Sequence, residues 1–211
     1  MHKNPSKPLI NSNPVLVLEL ASIHTEKIRL HLKDLGESDR QLRFGMFASD
    51  EFIDNYVDSF DFLRDVFFGV FEQDLNLVGF AHLAYSPIAL SSSNDAEFGV
   101  SVSTTLRGIG IGTALFKRAA IHCRNSNINI LHVHCLSTND GMMHIAKKAG
   151  MLVERSHGEA EAFLRILPGN KASVLKEALE AQAAIVDYTI KRSVKQSIKI
   201  AEQLYTFPKL V

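Results

Sequence analysis

The sequence predicts an α/β domain: a mixed central β-sheet flanked by helices, with a long C-terminal helix added. Three observations predict it. From residue 65 to residue 167 two strand patterns come first, and then strand–helix–strand–helix–strand, an order suited to a mixed sheet. Three glycines alternate with isoleucines at residues 107–112, "RGIGIG", where a strand pattern stops and a helix pattern starts. From Lys171 to about Leu204 the chain reads as helix throughout.

The bulk properties narrow the class. A chain of 211 residues fits one domain plus an extension and buries a sizeable core without staples. Lysine plus arginine and aspartate plus glutamate number 23 each, so overall charge points to neither nucleic acid nor an anionic membrane. Cys123 and Cys135 form no framework and no CxxC pair, which fits a reduced, intracellular setting. The first 14 residues, "MHKNPSKPLINSNP", lack the apolar centre of a signal peptide, and no apolar run approaches the ~20 residues of a membrane span. The expectation is a soluble cytoplasmic protein with a flexible tail at 1–14, a domain at 15–167 and a helical extension at 168–211.

Each element has its own signal. Residues 14–22, "PVLVLELAS", read as a strand. Residues 23–35 read as a helix with Ile23, Ile28, Leu30, Leu32 and Leu35 as its apolar positions, and "SDRQLRFG" follows without an assignment. Ser49 caps a helix with an acidic first turn that sets Phe52, Ile53, Tyr56 and Val57 on one side and runs to Phe60. Residues 65–87 read as a hairpin turning at 73–76, residues 91–95 as a loop, and 96–104 as a strand with Phe98, Val100 and Val102 on one face and Glu97, Ser101 and Ser103 on the other. A helix begins near Gly110 and runs to about His122, with Ile111, Leu115 and Ala119 four apart. Residues 128–136 read as a central strand apolar on both faces, 139–151 as a short helix ended by Gly150, and 161–167 as a last strand before Pro168-Gly169. No internal repeat is present.

The glycine stretch carries the chemistry. The first amides of a helix have no partners within it, glycines let a ligand approach the backbone, and the helix dipole favours an anion. Arg107 adds a positive charge, so a phosphate site is expected; the competing reading is a tight turn that needs glycine for its dihedrals. A P-loop requires GxxxxGK[ST], which no window supplies. A dinucleotide fold requires GxGxxG and an acidic residue about 20 positions on, whereas the chain has GxGxG and then "HVHCL".

Arg107-Gly108-Ile109-Gly110-Ile111-Gly112 does match R/Q-x-x-G-x-G/A, and here the chain resembles the GNAT N-acetyltransferase superfamily, whose pyrophosphate loop for coenzyme A has that pattern. "AEFGVSVS" resembles the family's fourth strand, and "LSTNDGMMHIAKKAGM" its fifth strand end and following helix. The resemblance covers about residues 15–167, is strongest over 96–151, and with "RQLRFG" lies closest to the GNAT domains of bacterial protein-lysine acetyltransferases. It implies a GNAT-like sheet, acetyl-CoA as co-substrate and no metal. It implies that the backbone of Val100, Ser101 and Val102 binds the pantetheine arm, and that Arg107, Gly108, Ile109, Gly110, Ile111, Gly112 and Thr113 form the pyrophosphate loop. By the same resemblance Asn139 holds coenzyme A or shapes the site, alongside its reading as a helix cap, and Glu97 stands at the general base.

The chemistry needs such a base, because only about one lysine-like amine in 1,000 is neutral at pH 7 and only the neutral form attacks a thioester. The family's tyrosine, which protonates the leaving thiolate, falls on Ala146; Ser137, His144 or water stand in for it, or the thiolate leaves unprotonated.

Other candidates read more plainly. His132 and His134 share a strand face and, with His122 and Cys123, suggest zinc, but the spacing favours ordinary cleft or core histidines. Cys135 lacks an accompanying nucleophile motif, and His82 is a candidate for the acceptor cleft. In the tail, Leu175, Leu179, Val186, Ile190, Ile198 and Ala201 form an apolar stripe, with acids early and bases late, expected to pack on the domain or on a second copy as a homodimer. The reading is an acetyl-CoA-dependent N-acetyltransferase acting on a small-molecule or protein-lysine amine, with no nucleic acid and no membrane span. The alternative is a non-catalytic acyl-CoA-binding sensor or interaction module.

Overall fold

The computed structural model describes residues 14–85 and 94–205. Seven strands form one sheet in the order β1-β2-β3-β4-β5-β7-β6. They are β1 (Leu18–Leu20), β2 (Val66–Phe71), β3 (Leu77–Tyr85), β4 (Asp95–Val102), β5 (Ile130–Leu136), β6 (Leu152–Ser156) and β7 (Glu159–Arg165). Every neighbouring pair is antiparallel except β4 and β5, and the expected mixed α/β sheet is the fold found. The helices are α1 (Thr25–Lys33), α2 (Glu37–Phe44), α3 (Asp50–Asp58), α4 (Ile111–Asn125), α5 (Asp140–Ala149) and α6 (Lys171–Tyr205).

Alternation along the strands sorts the apolar residues into two cores, because successive side chains leave a strand on opposite faces. Phe98 and Leu131 join Leu115 and Ala119 of α4 and Ala146 of α5 in one core. On the other face Phe67 and Phe80 join Ile28 and Leu32 of α1 and Ile53 and Val57 of α3. Of the expected stripe, Ile23, just ahead of α1, and Leu30, within it, fall outside, respectively 79% and 64% exposed.

Local signals hold at several ends. The Ser49 side chain accepts the Phe52 amide at the start of α3, and Gly150, in the left-handed region at φ 71°, closes α5. Four expectations change. The strand expected over 14–22 keeps a ladder only at Leu18–Leu20. The unassigned "SDRQLRF" is part of α2, and an additional strand, β6, pairs with β7. β5 buries Leu131, Val133 and Cys135 but leaves His134 exposed, because one of its faces looks into an open cleft rather than onto a helix layer. The tail at 1–13 and most of the loop at 91–95 lie outside the described residues.

Candidate active site

The sheet opens where it turns parallel. β4 and β5 are in register only at Asp95↔Ile130, Ala96↔Leu131 and Glu97↔His132. Beyond Glu97 the strands part, while β4 stays paired with β3 through Val102. The edge of β4 that faces β5 therefore lacks a strand partner along Val100, Ser101 and Val102 among the described residues. Main-chain groups there need partners, as any strand edge does. A cleft of about 960 Å³ fills the gap.

The glycine loop stands at its mouth. Gly108 and Gly110 have φ of 79° and 96°, a region that costs other residues a steric penalty, and Gly110 is the N-cap of α4. The turn reading is thus correct for these two glycines, and it leaves the phosphate reading intact. The first capped bond of α4 runs from the Ala114 amide to the Gly110 carbonyl, so the amides of Ile111, Gly112 and Thr113 precede the helical ladder. Arg107 is anchored by an ion pair with the Asp39 carboxylate at 2.8 Å, and Thr104 donates to the other Asp39 oxygen at 2.7 Å. That pair ties the loop to α2.

The cleft wall brings together Glu97, Val100, Ser101, Val102, Arg107, Gly108, Gly110, Ile111, Gly112, Thr113 and Asn139, which are all but one of the residues singled out from the sequence. Ile109 is not on that wall and is 56% exposed. Asn139 caps α5 by accepting the Met142 amide at 3.0 Å and donates to the Leu42 carbonyl of α2 at 3.2 Å, so it locks two walls together.

Alternation puts Glu97, Gly99 and Ser101 on the same face of β4. Glu97 is exposed on the cleft wall, and no hydrogen bond or ion pair engages its carboxylate among the described residues. Ser101 is buried, and its hydroxyl meets His31 Nε2 at 2.9 Å while His31 Nδ1 meets the Leu77 carbonyl at 2.9 Å. A carbonyl can only accept, so Nδ1 carries the proton and Nε2 accepts from Ser101. Burial holds the His31 imidazole down to about 4, against the help of the Leu77 carbonyl and Asp34.

Sequence reading missed what lies beside Glu97. Arg43 of α2 lays its guanidinium on Gly99, where a Cβ would come within 2.7 Å of the guanidinium carbon and both terminal nitrogens. Arg43 Nη2 donates to the Tyr56 hydroxyl at 2.9 Å, Tyr56 donates to His82 Nδ1 at 2.8 Å, and His82 Nε2 donates to buried Asp65 at 3.1 Å. Each group has one consistent role, since the carboxylate at the end only accepts. Burial, helped by the Arg43 charge and opposed by Asp65, holds His82 down to about 4, and burial raises the Tyr56 phenol. His82, a candidate for the cleft, sits instead behind Arg43 and positions it. The early signal for Arg43 was only "RQLRFG", a polar stretch with little periodicity.

Three further candidates resolve. Ala146 is fully buried in the core; of Ser137 and His144, His144 lies on the cleft wall. Cys135 is buried, and burial raises its thiol. His132 lies 3.3 Å from Asp95 and His134 lies 3.4 Å from Glu159; among the described residues no three His, Cys, Asp or Glu side chains gather as a metal site.

A mixed sheet that opens at a short parallel pair, with a glycine-flanked helix at the opening, is the fold of N-acetyltransferase domains. The acetyltransferase (GNAT) family pattern matches residues 32–151, more than half of the chain, and the chain belongs to that family of N-acetyltransferase enzymes. The GNAT domain of S. lividans PAT superposes with a TM-score of 0.60 at 16% identity, covering 71% of this chain and 89% of that one. Spermidine N-acetyltransferase from Vibrio cholerae, solved with CoA and spermine, gives 0.55 at 15% identity, covering 71% and 94%. Ribosomal-protein-alanine N-acetyltransferase from Brucella melitensis gives 0.54 at 14% identity, covering 70% and 96%. No curated protein matches the chain. Among the described residues, no helix is long and apolar enough to cross a membrane.

Proposed function

We propose that this chain transfers the acetyl group of acetyl-CoA to an amine by direct attack in a ternary complex. The observation that supports it is the parting of β4 and β5 after Glu97, with the first amides of α4 and the Arg107–Gly112 loop at the mouth of the gap. The free edge of Val100–Val102 suits the amide groups of a pantetheine arm, and the loop suits its pyrophosphate. Glu97 takes the proton as the amine nitrogen bonds to the thioester carbonyl carbon; the carbon–sulfur bond then breaks and the thiolate leaves. With Ala146 sealed in the core, the thiolate takes its proton from solvent or from His144 on the cleft wall. Acetyl-CoA at ~100 times its dissociation constant should stabilise the protein by about 2.7 kcal/mol, and Gly110→Asp should abolish that gain. Glu97→Gln should lower turnover by ~100-fold with little change in acetyl-CoA affinity, the loss shrinking at high pH. No melting shift with acetyl-CoA overturns the proposal. The buried Ala146 favours one second reading, a non-catalytic acyl-CoA-binding module, which predicts tight binding without turnover of any amine.

The outward stripe of α6 supports a homodimer. Leu175, Leu179, Val186, Ile190 and Ile198 are between 54% and 63% exposed, on the side away from the domain. Its 35 residues make a helix about 52 Å long. Pairing with a second copy along this face covers the stripe. Sedimentation should give the mass of two chains, and Leu179→Lys with Ile190→Lys the mass of one; a single-chain mass for the native protein overturns it.

A further inference from the structure

We propose that Arg43 binds a carboxylate on the acceptor, so that the substrate class is an amine that also carries an acid. This rests on the acetyl-transfer reading of the cleft. Arg43 has five N–H donors, yet the Tyr56 hydroxyl is its one hydrogen-bond acceptor among the described residues, and its buried Nε has none. No ion pair reaches it there, although the other arginine on the cleft wall, Arg107, is paired with Asp39.

The guanidinium is also held in place. Gly99 leaves the space it occupies, Phe44 and Tyr56 lie 5.1 and 5.7 Å from it, and the Tyr56–His82–Asp65 chain fixes the side from which it is bonded. A rigid, charged fork with donors unspent suits two carboxylate oxygens at once. Leaving donors unmade in a half-buried place is costly, and a carboxylate on the substrate would offset that cost.

Position gives the spacing. Glu97 and Gly99 are two residues apart on one face of β4, roughly 6.6 Å along the strand. The amine at Glu97 and the acid at Arg43 are thus a few bonds apart, as in a short amino acid whose amine and acid lie at opposite ends. A diamine would meet the guanidinium with a like charge.

The test uses the full chain with acetyl-CoA and three series of matched length: ω-amino acids, alkylamines and diamines. At the best length kcat/KM for the amino acid should exceed that for the alkylamine by roughly 10- to 100-fold. Arg43→Gln should collapse that ratio towards one, mainly through KM, and Arg43→Lys should fall between. Both variants should keep the acetyl-CoA melting shift, which separates a lost carboxylate site from a lost fold. A ratio near one in the native protein, a ratio untouched by Arg43→Gln, or a preference for diamines overturns the inference while leaving acetyl transfer standing. If no amine is turned over, the N-acetylated amino acid and its carboxamide are titrated by calorimetry with CoA present. Tighter binding of the acid, lost in Arg43→Gln, supports the site without catalysis; equal binding overturns it.

Discussion

α4 and α6 pack side by side and face opposite ways. α4 turns Ile111, Leu115, Phe116, Ala119 and Cys123 into the core. α6 turns Ser173, Glu177 and Ala184 towards the domain and leaves its apolar stripe outside. The stripe does not pack on the domain, because the seam is set by polar partners. Glu177 takes a hydrogen bond from Arg118 at 2.6 Å and from Asn125 at 2.6 Å, and meets His122 Nδ1 at 2.8 Å. Farther along, Lys191 donates to the Phe71 carbonyl and Lys195 to the Asp74 carbonyl. Arg118, itself buried, lies 4.9 Å over the Phe68 ring and needs a carboxylate. Periodicity reveals that a helix has an apolar face; it does not reveal which neighbour that face meets.

The same substitution in the two helices breaks or sharpens this contrast. Leu115→Ala in α4 empties a fully buried site and should cost about 4 kcal/mol in chemical denaturation. Acid comes next and acts on the opposite core. Because His31 is held down to about 4, the unfolded chain binds a proton that the folded chain refuses between there and about 6.5. Stability should therefore fall as pH drops through that window, by about 3 kcal/mol for His31 at pH 4, and His31→Gln should flatten the profile. His82, also held down to about 4, adds to the slope with the same sign. Glu177→Gln, which strips Arg118 of its nearer carboxylate, should cost about 2 kcal/mol and loosen α6, seen as faster amide exchange along it. Leu179→Ala should cost under about 0.5 kcal/mol at concentrations where the chain is a monomer. A loss as large as that of Leu115→Ala there would show that the stripe packs on its own domain.

Much of this was legible beforehand for reasons that differ by residue. The loop was legible because alternate glycines before a helical pattern have few other uses, and Ser49 and Gly150 marked helix ends through their own chemistry. α2 was not, because Leu42 and Phe44 give too short an apolar pattern to show a period; Arg43 went unnoticed with it. β6 was not, because all five of its residues are exposed and only the ladder with β7 makes it a strand. The Arg43–Tyr56–His82–Asp65 chain joins residues from four separate stretches, and hydrogen bonds between distant residues leave no local pattern. Ala146 was legible as a departure from the family, and its burial explains why restoring a tyrosine there would overfill the core.

Among the described residues the sheet ends at β1 on one side and β6 on the other. β6 carries Glu154 and Arg155, charges that discourage a foreign strand from adding to it. β1 offers Leu18 and Leu20 and relies on α6, whose Ala184 joins their core. The last helix is thus also a guard against aggregation. A chain cut at Gly169 would present β1 bare, and its solubility would fall before its catalytic cleft had lost a single residue.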